Sequence, residues 1–183
     1  MSTSNSPAKK YDIYLASPLF CDQDNAELDI IEAMLDGAGV NYFSPRKDSA
    51  LDLSSCTTPA EKSAMAQKIF DLNHDAVQSS RMVMVNTIGT PWNRAIYSDA
   101  GTMVEAGMAF AMDIPVVTYN FKKFGLNIML SQKSVYHCDS TTLEDHDELE
   151  IVLDVLDQIV NEEVTDPAEL RKMFFEVKER ELV

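Results

Sequence analysis

The segment "YDIYLASPLF" opens with an alternating apolar and polar run, the period of a strand, and breaks at Pro18. In "DNAELDIIEAMLDGAG" the period lengthens: Ile30, Ile31, Met34, Leu35 and Ala38 fall on one helical stripe, and the region from Gly37 to Gly39 stops it. "VNYFSP" returns to a strand pattern that Pro45 ends, and the polar stretch from Arg46 to Thr57 is expected as a long irregular loop. Thr58, Pro59 and Glu61 then supply an N-cap, a proline at the first helical position and a capping-box glutamate, which predicts a helix running to about Ser80. "MVMVNTI" is almost unbroken in apolar character, as a strand covered on both faces should be. After the loop "GTPWNRAIYSD" a third helix is expected in "SDAGTMVEAGMA". "IPVVTYNF" reads as a buried strand, "SVYHC" as a weaker one and "LEDHDELEIVLDVLDQIVNEE" as an amphipathic helix, while Asp166, Pro167 and Glu169 cap a last helix.

Strands alternating with helices in this way predict an α/β fold, a doubly wound parallel sheet of the flavodoxin or Rossmann kind with about five strands. A disordered tail is expected over residues 1–10 and a single domain over 11–183, a size sufficient for one ordinary core. The formal charge of −15 opposes contact with a phosphate backbone or an anionic membrane surface, so neither nucleic acid nor membrane is an expected partner. No stretch reaches the roughly 18 apolar residues of a membrane span, and the polar start "MSTSNSPAKK" lacks an apolar leader, which together point to a cytoplasmic protein. Cys21, Cys56 and Cys138 are odd in number and lack C-x-x-C spacing, so they read as free thiols. His137 and Cys138 are neighbours on a strand and point to opposite faces, which argues against a metal pair.

Ligands of doubly wound sheets bind outside the carboxyl ends of the strands, which directs attention to "ASPLFCDQDN", "FDLNHDAVQSS" and "IYSDAGTMVE". The first of these turns carries Pro18 and acids where a phosphate-binding turn would carry glycines, so it suits a neutral ligand with an apolar part. Leu19 and Phe20 are readable equally as the wall of such a pocket or as core. Glu105 is the sharper case. Its helical face-mates are Gly101, Thr102, Met108, Ala109 and Met112, a small and apolar stripe on which an ionised carboxylate is costly and needs a role. Asp99, six residues earlier, cannot share that face within one continuous helix and must lie on the loop or at the N-cap, where plain capping is the commoner use. Two carboxylates in such different settings suit cleavage of a glycosidic bond.

"IYLASPLF", "FDLNHDAV", "SDAGTMVEAGMA" and "LNIML" resemble, in order and spacing over roughly residues 11 to 140, the nucleoside 2-deoxyribosyltransferases. The pattern D-x-G-T-x-x-E-x-G-x-A is the specific part. The resemblance implies an enzyme without metal or organic cofactor that acts on a deoxynucleoside and a free nucleobase through a covalent deoxyribosyl-glutamate, with net retention. It makes Glu105 the nucleophile, Asp99 the acid that protonates the base and Tyr14 the tyrosine that orients the nucleophile. It places Leu19 and Phe20 under the base, Gly101 in the substrate pocket, and Asn127 on an asparagine lent by a neighbouring subunit, which implies a homo-oligomer with shared sites. Asn73 stands where well-studied members have an aspartate that holds sugar or base, with Asp75 two residues on. The rival readings are a hydrolase of deoxynucleoside 5′-monophosphates, which needs a phosphate cradle, and a nucleoside sensor without turnover.

Overall fold

The computed structural model describes residues 9–49, 51–87, 99–120, 128–138, 147–162, 164 and 166–181. Of the expected tail, the first eight residues lie outside these. Lys9 and Lys10 are already tied to the sheet's entry edge, through Lys9 Nζ on the Gln78 carbonyl and Lys10 N on that of Ser79.

Five strands form one parallel sheet: β1 (Tyr11–Ala16), β2 (Tyr42–Phe43), β3 (Ser80–Asn86), β4 (Val116–Tyr119) and β5 (Tyr136–Cys138), in the spatial order β2-β1-β3-β4-β5. The chain leaves β1 toward one edge and returns at β3 on its other side, so the topological switch point lies between β1 and β3, whose register pairs Tyr14 with Val83. The strand period of two sends Ile13, Leu15, Met82 and Met84 to one face and Tyr14, Ala16, Val83 and Val85 to the other. The first set packs under α1 (Asp22–Gly37), α6 (Asp147–Glu162) and α7 (Pro167–Glu181), with Leu28, Ile31, Leu35, Val152, Leu170 and Phe174 all buried. The second packs under α3 (Pro59–Gln78) and α4 (Ala100–Ala111), through Ala76, Val77, Ala106 and Ala109, with Leu130 of α5 (Ile128–Lys133). No described helix is long and apolar enough to cross a membrane.

The signals read for α3 are in place: Thr58 accepts from Glu61 N, and the Glu61 carboxylate accepts from the amides of Thr57 and Thr58, which pull its pKa down to about 2. Two expectations need correction. The stretch after Pro45 is not wholly irregular. Pro45 starts a single turn, α2 (Pro45–Asp48), because Asp48 reaches back to Ser44 N at 2.8 Å, and Asp52 supports a 3-10 turn over Leu53–Ser55. The buried face of α1 includes the apolar stripe in Ile31 and Leu35, with Ile30 and Met34 packed at its margin, but is wider than it and takes in carboxylates. Ala38 is exposed, Ile30 and Met34 are half-buried, and Asp24, Glu27 and Glu32 are buried with Leu28, Ile31 and Leu35. Tertiary partners for those carboxylates override the hydrophobic count: Glu32 receives Ser44 Oγ at 2.6 Å, Lys47 Nζ at 3.2 Å and the Arg46 guanidinium.

Candidate active site

Glu105 sits in the second turn of α4, above the carboxyl half of β1. Tyr14 reaches it because the strand alternation turns that ring toward α3 and α4, where Phe43 stacks on it at 5.5 Å and fixes its direction. Its hydroxyl donates to Glu105 Oε1 at 2.7 Å. Asn73, near the end of α3, donates Nδ2 to the same oxygen at 3.1 Å. Both hydrogen bonds therefore fall on Oε1, and Oε2 makes none among the described residues. The amide of Asn73 is itself half-used: its Oδ1 is buried with no partner among those residues, an acceptor waiting for a donor.

Asp99 is the N-cap of α4. Its Oδ2 accepts from Thr102 N at 2.9 Å and from Thr102 Oγ1 at 3.1 Å, so both capping bonds fall on one oxygen. Gly101 makes room for this carboxylate, since a Cβ there would lie 3.1 Å from Asp99 Oδ2. Capping and proximity to Glu105 are compatible uses of one side chain, because a carboxylate has two oxygens.

The electrostatics follow from these neighbours. Burial raises the Glu105 carboxyl from 4.5 to about 7; the hydrogen bonds from Tyr14 and Asn73 pull it down and the Asp99 charge pushes it up. Burial, then the Glu105 carboxylate, push the Tyr14 hydroxyl well above its ordinary value, so it remains a proton-bearing donor. A carboxylate poised near neutrality, oriented through one oxygen and open at the other, can attack an electrophilic carbon.

Tyr14, Asn73, Asp99 and Glu105 thus converge, with Gly101 beside them. Leu19 and Phe20 lie on the turn after β1. Leu19 packs against the core on the opposite face of the sheet, whereas Phe20 is 67% exposed and is not core. Asn127 lies outside the described residues. Sequence reasoning missed Thr102, although its place three residues after an N-cap aspartate is a capping signal. It also missed Asp24, whose Oδ2 takes Phe20 N at 3.0 Å and Cys21 N at 3.1 Å. Among the described residues, no three His, Cys, Asp or Glu side chains are gathered as a metal ion would require.

Several solved structures share this architecture. A 2-deoxyribosyltransferase from the psychrotolerant bacterium Bacillus psychrosaccharolyticus is similar at 20% identity and a TM-score of 0.52, over 70% of this chain and 85% of that one. A conserved protein of Enterococcus faecalis V583 is similar at 19% identity and a TM-score of 0.53, over 80% and 96% of the two chains. A CMP N-glycosidase of Clostridium botulinum reaches 17% identity and a TM-score of 0.48, over 79% and 97%. For the first two, at these identities, the likeness is one of fold. No curated protein matches by sequence. The sequence profile of the nucleoside 2-deoxyribosyltransferases, however, matches residues 13–161, a span that runs from the strand of Tyr14 through Asn73, Asp99 and Glu105 into α6. By that match the chain belongs to the nucleoside 2-deoxyribosyltransferase family.

Proposed function

We propose that the protein is a transferase that moves 2-deoxyribose from one nucleobase to another. The observation that carries this reading is the Glu105 carboxylate, its pKa raised to about 7, with Tyr14 and Asn73 on one oxygen and no hydrogen bond on the other among the described residues. In the first half-reaction Oε2 attacks C1′ and the C1′–N bond breaks, its electron pair leaving with the base. Asp99 supplies the proton that the base takes up. In the second, a nitrogen of the incoming base attacks C1′ from the face the first base vacated. The C1′–O bond breaks to restore the Glu105 carboxylate, and the surplus proton of the new base passes to Asp99. Two inversions give net retention. Asn73 Oδ1, buried and without a partner among the described residues, suits a sugar hydroxyl.

Charge supports a substrate without a 5′-phosphate. Doubly wound folds bind phosphate at helix N-termini beside the switch point, and here those of α1 and α4 are occupied by the chain's own carboxylates, Asp24 and Asp99. Exposed Ile128 and Met129, at 74% and 76%, support an assembly in which another copy covers the start of α5 and Asn127 serves a neighbouring site. The deciding experiment is incubation with deoxyinosine and adenine followed by chromatography. Deoxyadenosine is the expected product. Hypoxanthine alone would mean hydrolysis, turnover of deoxyinosine 5′-monophosphate in preference to the nucleoside would mean the nucleotide hydrolase, and unchanged substrate would mean a sensor.

A further inference from the structure

A cavity opens at the opposite end of the sheet, where β4 and β5 begin, and the proposed reaction makes no use of it. It encloses about 250 Å³ between the last turn of α4, the end of α5 and the start of α7. α4 links the two places: Asp99 caps it near Glu105, and Phe110 at its other end stands in the cavity wall. The floor is apolar and fixed. Ile114 and Val135 are buried, with Ile114 N on the Ala109 carbonyl at 2.9 Å and Val135 N on that of Val116 at 2.8 Å, and Pro115 and Pro167 extend the surface. Such a floor offers apolar contact to a ligand without rearranging.

Two cations line this cavity in a chain with twice as many acids as bases. Arg171 is half-buried and clamped from one side: Nε and Nη2 donate to the Ser134 carbonyl at 3.3 and 3.2 Å, and Nη2 donates to the Gln132 carbonyl at 2.7 Å. These carbonyls at the end of α5 hold the guanidinium without neutralising it, and Nη1 makes no hydrogen bond among the described residues. Arg46 and Arg81, by contrast, both meet carboxylates. Lys133, exposed on the lining, has no ion pair among the described residues either. A fixed guanidinium with unused donors is suited to a planar anion, while Asp113, also on the lining, opposes a second negative charge. The volume lies below the roughly 300 Å³ at which pockets for larger organic ligands begin, which suits a single ring rather than a nucleotide. We propose that this cavity binds a small organic monoanion, its carboxylate on Arg171 and Lys133 and its apolar body, the size of a single ring, against Phe110, Ile114 and Val135. The site is separate from the reaction assigned to Glu105, so neither reading depends on the other.

The test titrates three probes into the isotope-labelled full chain and follows the backbone amides by NMR: benzoate, its uncharged counterpart benzamide, and inorganic phosphate as an anion without an apolar body. Benzoate in the millimolar range should shift the amides of Ile114, Lys133 and Val135 along a saturable curve and leave those of Tyr14 and Glu105 in place. Benzamide and phosphate should each bind at least about fivefold more weakly. Lys133→Glu, a change at an exposed position, should weaken benzoate by about fivefold or more and leave benzamide unaffected. Arg171→Gln should weaken benzoate further; should that variant fail to fold, Lys133→Glu carries the comparison alone. Equal affinity for benzoate and benzamide would reduce the cavity to an apolar groove, and shifts centred on Glu105 would place the anion in the other site. No saturable shift would leave Arg171 a helix cap and nothing more. Each of these three results would overturn the proposal.

Discussion

Glu32 on α1 and Glu105 on α4 are carboxylates on helices that pack on opposite faces of one sheet, and their neighbours differ in sign. Glu32 is met by the Arg46 guanidinium, by Lys47 and by Ser44. Glu105 is met by two neutral donors, Tyr14 and Asn73, and by the negative charge of Asp99. The first arrangement is a brace that locks the turn after β2 onto α1. The second, with no cation, compensates the cost of ionisation only in part, which is why burial holds its carboxyl near pH 7. Removal of a carboxylate from water is common to both. The sign of what surrounds it decides whether it serves stability or reactivity.

The contrast can be broken most severely at Glu105 itself. Glu105→Gln should lower turnover by about 10⁴-fold or more, since an amide is no anionic nucleophile, while the fold survives. The same variant should be the more stable protein at high pH. In the wild type the folded pKa of about 7 exceeds the ordinary 4.5, so the folded state holds the proton more tightly than the unfolded chain. The destabilisation from ionising Glu105 is absent below about pH 4.5 and complete above about pH 7, where it amounts to at most about 3 kcal/mol. Thermal melts across that window should show the two proteins converging in acid and separating in base; parallel curves would mean that Glu105 is not strained by its charge.

Asp99→Asn should slow transfer by about 10²- to 10⁴-fold with little change in substrate affinity. A loss confined to melting temperature would reduce Asp99 to a helix cap. On the other side of the comparison, Arg46→Ala should cost about 2–3 kcal/mol of stability by denaturant titration, because Glu32 keeps only Lys47 as a cationic partner, while activity per folded molecule is retained. The smallest effect is expected for Tyr14→Phe. It removes one hydrogen bond that favours the Glu105 anion, so the ascending limb of the pH–rate profile should move to higher pH, with about a tenfold loss at neutrality. A limb that moves to lower pH would reverse the role given to Tyr14.

Much of this is legible in the residues. The caps of α3 and the unbroken run of β3 announce their elements, and the small, apolar company of Glu105 along its own helix is enough to set it apart. Asp24, Glu27 and Glu32 are invisible there for an equally physical reason. Asp24 holds the amide of Phe20, four residues before it, while Asn86, Ser44 and Arg46, the partners of Glu27 and Glu32, lie 12 to 59 residues away, and hydrophobic periodicity along one helix carries no trace of either. The Glu105 stripe is informative because the small, apolar residues beside it lie on its own helix; Asp24 meets the nearby amides of Phe20 and Cys21, whereas Glu27 and Glu32 acquire Asn86, Ser44 and Arg46 only when the sheet assembles. Leu19 and Phe20, open alternatives in the sequence, part company in the fold, one turned to the core and the other to solvent.

Tyr14 and Asn73 both bond Oε1, and this asymmetry has a consequence for timing. In the reaction proposed above, joining Oε2 to the sugar would make Oε1 the carbonyl oxygen of an ester, and the same two donors would polarise that carbonyl. A hydrogen bond that slightly blunts a carboxylate as a nucleophile improves it as a leaving group. In that reaction the pair would slow the first half of the cycle a little and speed the second, which shortens the time the covalent species stands open to water.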